Sequence, residues 1–127
     1  MVNTMRRYGN KFTRRPDFQE HRENAMRPSK YLGYDHDQLG VYLLEREAFA
    51  IAEVEFRRAV WLNPFDTNFK VHLAISLFQQ KRDGEAMDLA RLIQEAAPER
   101  PDIKELIRLI EKRIRVDAGT PPSAPSE

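Results

Sequence analysis

A chain of 127 residues has room for one domain, and 41% apolar with 32% charged residues is the mix of a helix-rich protein that folds in water. The absence of cysteine excludes disulfides, thiolate metal sites and a cysteine nucleophile. The net charge of +1 hides an uneven spread: residues 1–30 hold eight Lys/Arg against three acids, a balance of +5 that leaves −4 on the rest.

Residues 1–32 read as a basic extended arm interrupted by Pro16 and Pro28. Arg6, Arg7, Lys11, Arg14 and Arg15 alternate with Tyr8, Phe12 and Phe18, and a short helix starting at Pro16 is the one regular element expected there. Charge interleaved with stacking rings suits single-stranded nucleic acid, which makes residues 6–30 a candidate nucleic-acid or ribosome contact. The same composition suits an anchor on an acidic protein surface, with the rings as its hot spots, and the attached helical body favours that reading. A free basic tail is the third possibility. No apolar stretch follows the first arginines, so a secretory signal is not expected. No run approaches the roughly 20 apolar residues of a membrane span. The expectation is a cytoplasmic protein without membrane insertion.

Residues 33–116 are helix-periodic, and their breakers are regularly spaced. Asp35, followed three residues later by Gln38, predicts a capped helix start, with the helix running to about Arg46. A second helix is predicted from Phe49 to Leu62, stopping before Asn63-Pro64 because proline disfavours helical geometry in the residue before it. Asp66 caps a third, through Phe78 and Lys81, which breaks at Asp83-Gly84; a fourth follows to about Ala96. Pro101 opens a fifth, PDIKELIRLIEKRIR, with Asp102 near the positive end of its dipole. Residues 117–127, DAGTPPSAPSE, cannot bury enough apolar surface to order themselves.

An offset of 34 residues links Leu39 with Leu73, Gly40 with Ala74, Leu43 with Leu77, Ala52 with Ala86 and Pro64 with Pro98. Small residues at these points let helix axes approach, and larger neighbours fill the space beside them. Phe56 and Ala59 in the first copy become Ala90 and Ile93 in the second, a volume exchange that keeps the layer filled. In the fifth helix Ile103, Leu106, Ile107, Ile110 and Ile114 form one stripe. It reads as a cap over the last repeat's apolar edge, or else as an amphipathic partner or membrane helix.

A two-helix period of this length, with Leu39-Gly40, Leu43, Ala52, Phe56, Ala59 and Pro64, resembles the tetratricopeptide repeat family over residues 33–100. The second copy, Leu73-Ala74, Leu77, Ala86, Ala90, Ile93 and Pro98, is looser; His36 and Lys70 stand where the family has apolar bulk, and Asp83 where the first copy has Phe49. The resemblance implies an all-α fold: a short helical-hairpin solenoid of two repeats and a C-terminal capping helix, behind an extended N-terminal arm. It also implies a concave groove lined by the first helix of each hairpin. The matching positions are Asp37, Gln38, Val41, Leu44 and Glu45, then Val71, His72, Ile75, Phe78 and Gln79. Asp37, Val41 and His72 break the clamp by which part of that family grips a C-terminal carboxylate, leaving an apolar strip with polar edges. An apolar helix or extended segment fits such a strip. The occupant is another protein or larger complex, or this chain's own arm or a second copy.

Catalysis has little footing. His21, His36 and His72 share no metal-ligand spacing, and the chain has no phosphate loop, HExxH or nucleophile elbow. Asp35-His36-Asp37 reads as a helix start with solvated acids, and Glu53 and Glu55 as surface partners of Arg57 and Arg58. The expected protein is a non-enzymatic adaptor, assembly factor or accessory subunit with no cofactor.

Overall fold

The computed structural model describes residues 18–119. Arg6, Arg7, Tyr8, Lys11, Phe12, Arg14 and Arg15 of the arm, and residues 120–127 of the tail, lie outside the described residues. Six helices follow in order: α1 (Phe18–Met26), α2 (Tyr34–Glu45), α3 (Phe49–Leu62), α4 (Thr67–Gln79), α5 (Asp83–Ala96) and α6 (Pro101–Asp117). There is no strand among the described residues. From α2 onward each helix packs on the next, and α4 also touches α2 and α6. The molecule is therefore two helical hairpins stacked in sequence and closed by a last helix, with α2, α4 and α6 as neighbours in one layer.

The core forms where the 34-residue offset places it. Ala52, Phe56, Ala59, Ala74, Ala86 and Ala90 are fully buried, and Leu73, Leu77 and Ile93 nearly so. A Cβ on Gly40 would lie 2.4 Å from Cε1 of Phe56, so the α2–α3 crossing is close because position 40 has no side chain. Gly33 precedes α2 with φ 94, where L side chains are strained, and an added Cβ would meet the Phe69 ring at 2.8 Å.

The repeat extends to the turns. Glu47 and Lys81, also 34 apart, take φ of 63 and 64. Behind them the Ala48 amide donates to the Leu43 carbonyl at 2.9 Å and the Arg82 amide to the Leu77 carbonyl at 3.0 Å. Each first helix thus ends in the same left-handed cap, closed by a six-residue hydrogen bond. This explains why α5 begins at Asp83 instead of after Gly84: the reversal is made at Lys81, and Gly84 falls inside the first turn. Glycine is the residue such a cap favours, and a non-glycine residue there costs about 1 kcal/mol. Lys81→Gly is therefore expected to raise stability by up to about 1 kcal/mol in urea unfolding. A loss of stability would show that the lysine stem contributes packing that outweighs the backbone strain.

Two helix starts separate expectation from structure. Asp66 caps α4, its carboxylate accepting from the Asn68 amide at 2.9 Å. Asp35 does not cap α2; Gly33 holds the cap position and Asp35 sits in the first turn, an acid at the positive end of the dipole.

The last helix repeats the register a third time. Ile103, Ile107 and Ile110 stand 34 residues after Phe69, Leu73 and Ser76, and all six are buried. Leu106 is buried with them, whereas Ile114 is 42% exposed. The preceding residue, Arg113, already pairs with Asp83 at the first turn of α5, so Ile114 overruns the surface available to cover it.

The folded region begins earlier than residue 33. The short helix expected in the arm is α1, described from Phe18 to Met26, and the segment after it is tied to the body: the Ser29 amide donates to the Leu62 carbonyl at 3.0 Å, and Asn63 Nδ2 to the Leu32 carbonyl at 3.0 Å. Among the described residues no helix is long and apolar enough to cross a membrane.

Candidate functional site

Helices α2 and α4 lie side by side, and their shared surface holds the positions expected to line a groove. Val41 and Leu44 on α2, with Ile75 and Phe78 on α4, each pack against the core while keeping part of the side chain in solvent. Glu45 and Gln79 are exposed at the margin. These six residues remain candidates for contact with a ligand.

Val71 does not belong with them. It is 4% exposed and part of the core cluster, although it shares a face of α4 with Ile75 and Phe78, which keep part of their surface in solvent. Its counterpart one repeat earlier is Asp37, which bonds to His72: Nδ1 lies 2.8 Å from Oδ1 of the aspartate. The His72 ring also leans on Phe56, with centroids 5.4 Å apart. His72 is thus a strut between α2 and α4 and helps set the width of the surface.

Phe78 is covered on one face. The Arg113 guanidinium of α6 lies 3.9 Å from its ring centroid, an attraction of cation for π-face. Arg113 also donates to the Phe78 carbonyl, and its Nε lies 3.0 Å from Oδ2 of Asp83. The last helix therefore closes one end of the strip, leaving Val41, Leu44 and Ile75 as its open apolar part.

Glu53, expected at the surface, is 8% exposed. Its carboxylate accepts from Arg57 Nε at 2.7 Å, Gln80 Nε2 at 2.9 Å and Arg82 Nη1 at 2.6 Å. Burial pushes the carboxyl pKa up, but these three donors together bring it below the ordinary value. The (i, i+4) pair with Arg57 is real; Gln80 and Arg82, brought in by the next hairpin, bury the group.

A second polar cluster, at the other end of the stack, was not legible as a site. Glu23 of α1 accepts from Arg58 Nη2 at 3.0 Å and approaches His36 Nε2 at 3.2 Å, while His36 Nδ1 lies 2.9 Å from Glu55. Burial raises the Glu23 pKa, but its Arg58, Gln19 and His36 contacts outweigh that and lower it. Arg27 stacks at 3.9 Å over Trp61 and donates Nε to the Trp61 carbonyl at 2.9 Å. Glu55 and Arg58 therefore serve α1 and α2, and His36 is a cross-link between helices in place of a solvated cap residue. Phe18, at the start of α1, stays exposed with Arg22 5.3 Å from its ring centroid.

Among the described residues no cluster of His, Cys, Asp and Glu has the arrangement of a metal site. Family models, curated proteins and solved structures contain no match to this chain.

Proposed function

We propose that this protein is a non-enzymatic interaction module of the tetratricopeptide type, an adaptor, assembly factor or accessory subunit that holds an apolar peptide segment along α2 and α4. The observation that carries this reading is the strip of Val41, Leu44 and Ile75, half-buried against the core and open on the same surface, with Glu45 and Gln79 at its edge. Apolar side chains held rigidly by a core and left open to solvent give a partner area at little ordering cost. Helix-in-groove and extended-peptide recognition both use such strips, and the His72–Asp37 bridge keeps this one at fixed width. The basic aromatic residues 6–15 add a second contact on a larger partner.

The test uses a phage-displayed random peptide library with the full chain as bait, followed by fluorescence anisotropy on the enriched peptides. Apolar peptides should be enriched. Ile75→Glu should weaken their binding by about tenfold or more, which corresponds to about 1.4 kcal/mol, while the melting temperature stays near that of the parent. Enrichment of acidic or C-terminal-carboxylate peptides, or binding indifferent to Ile75→Glu, would defeat the reading.

A further inference from the structure

The three register-equivalent helices differ in what meets their N-terminal edge. On α4 that edge is Phe69, Leu73 and Ser76, buried where α4 packs on α3; on α6 it is Ile103, Ile107 and Ile110, buried beside α5. On α2 the same positions are Asp35, Leu39 and Tyr42, and among the described residues no hairpin packs on them. Leu39 is 45% exposed and Tyr42 50% exposed. Helix α1 leaves them so: it buries none of its own residues, and polar contacts hold it, Glu23 meeting His36 and Arg58 and Arg27, just past its end, stacking on Trp61.

The opposite end of the stack is finished differently. Where α2 and α4 place Gly40 or Ala74 and Leu43 or Leu77 in or against the core, α6 has Arg108 and Glu111, both exposed, with exposed Lys112 beside them. A charged surface there gives a further helix nothing to pack on, so copies of this chain cannot stack head to tail through these two ends. The apolar edge of α2 is left to pair with something of its own kind.

Its order of side chains suits that. Along the edge run an acid, Asp35; two apolar groups, Leu39 and Tyr42; and a base, Arg46. Set antiparallel to itself, the edge puts Asp35 opposite Arg46 and Leu39 opposite Tyr42, with both pairs centred on one point between Gly40 and Val41. This self-complementarity, with each contact made twice, is what a two-fold interface requires. The groups are available. Asp35 takes part in no ion pair among the described residues. Arg46 lies over the Tyr42 ring at 3.5 Å and spends one donor on the Tyr42 carbonyl at 3.3 Å, so its fork keeps donors for a carboxylate. We infer that two copies of this chain pair through antiparallel α2 helices, by a Leu39–Tyr42 apolar centre flanked by reciprocal Asp35–Arg46 ion pairs. The inference is independent of the groove, which lies on the other side of α2.

Sedimentation equilibrium of the full chain over a concentration series tests it, with circular dichroism melting as the control for folding. The mass should rise with concentration from 14.9 kDa toward twice that value. Leu39→Asp should hold the protein monomeric. Asp35→Arg and Arg46→Asp should each raise the dissociation constant by about tenfold, since each sets like charges opposite one another, and the double variant should restore it to within about threefold of the parent. That rescue is specific to the antiparallel register. A parent chain that stays monomeric at every concentration, a dimer indifferent to Leu39→Asp, or a double variant no better than the singles would each overturn the inference.

Discussion

Truncating Phe56 to alanine is expected to cost about 3–5 kcal/mol, a large share of the roughly 5–15 kcal/mol that holds a domain of this kind folded. The ring is fully buried, touches His72 and fills the space that Gly40 leaves open on α2. For a domain of about 100 residues this corresponds to a fall in melting temperature of roughly 15–30 °C. The reverse change at the other side of the contact should also destabilise. Gly40→Ala places a methyl 2.4 Å from the ring, and a fully buried ring has nowhere to go. The overpacking penalty of about 1–3 kcal/mol is partly offset by the better helix propensity of alanine, worth about 1 kcal/mol. In the Phe56→Ala background the clash disappears and only the propensity gain remains, so Gly40→Ala should become neutral or stabilising. The coupling in this double-mutant cycle, read from urea unfolding, should be about 1–3 kcal/mol. Effects that add to within about 0.5 kcal/mol would mean that some other contact fixes the α2–α3 crossing.

What sequence reveals here follows from what repeats. Buried positions and helix breakers both recur at an offset of 34 because each hairpin solves the same packing and turning problem, so Ala52 and Ala86 announce themselves as core, Pro64 and Pro98 as helix ends, and the exchange of Phe56/Ala59 for Ala90/Ile93 can be read as one filled layer. The third register, Ile103, Ile107 and Ile110, carries the same offset and was open to the same reasoning. Helix α1 was not, beyond a possible short helix. It has no buried face to set a period, and its contacts run from Glu23 to residues 13 and 35 positions away. Local spacing reports only neighbours three or four residues apart on a helix. Val71 shows the limit within the site: the resemblance placed it on the groove face, and it does share a helix face with Ile75 and Phe78, but whether neighbouring chain covers that end of α4 is a tertiary matter that no short pattern encodes.

Replacing Glu53 by alanine is expected to cost about 2 kcal/mol, because the change withdraws one charged acceptor from Arg57, Gln80 and Arg82 together. Partial exposure of both arginines keeps the figure below that for a fully buried pair, since their freed charges regain water. The effect joins the two hairpins: Glu53 and Arg57 lie on α3, whereas Gln80 and Arg82 lie in the turn between α4 and α5. The same carboxylate gives the fold an acid limit. Glu53 and Glu23 both have pKa values lowered in the folded protein from the ordinary 4.5, so they bind fewer protons folded than unfolded. Their contribution is therefore fully present above the unfolded value and is lost as pH falls through the folded one. Urea midpoints measured from pH 7 downward should hold steady to about pH 5 and then drop, more steeply than the Glu53→Ala variant, which has one such group fewer. Midpoints of parent and variant that fall in parallel below pH 5 would show that Glu53 titrates alike in both states, and that the three donors around it carry no net stabilisation.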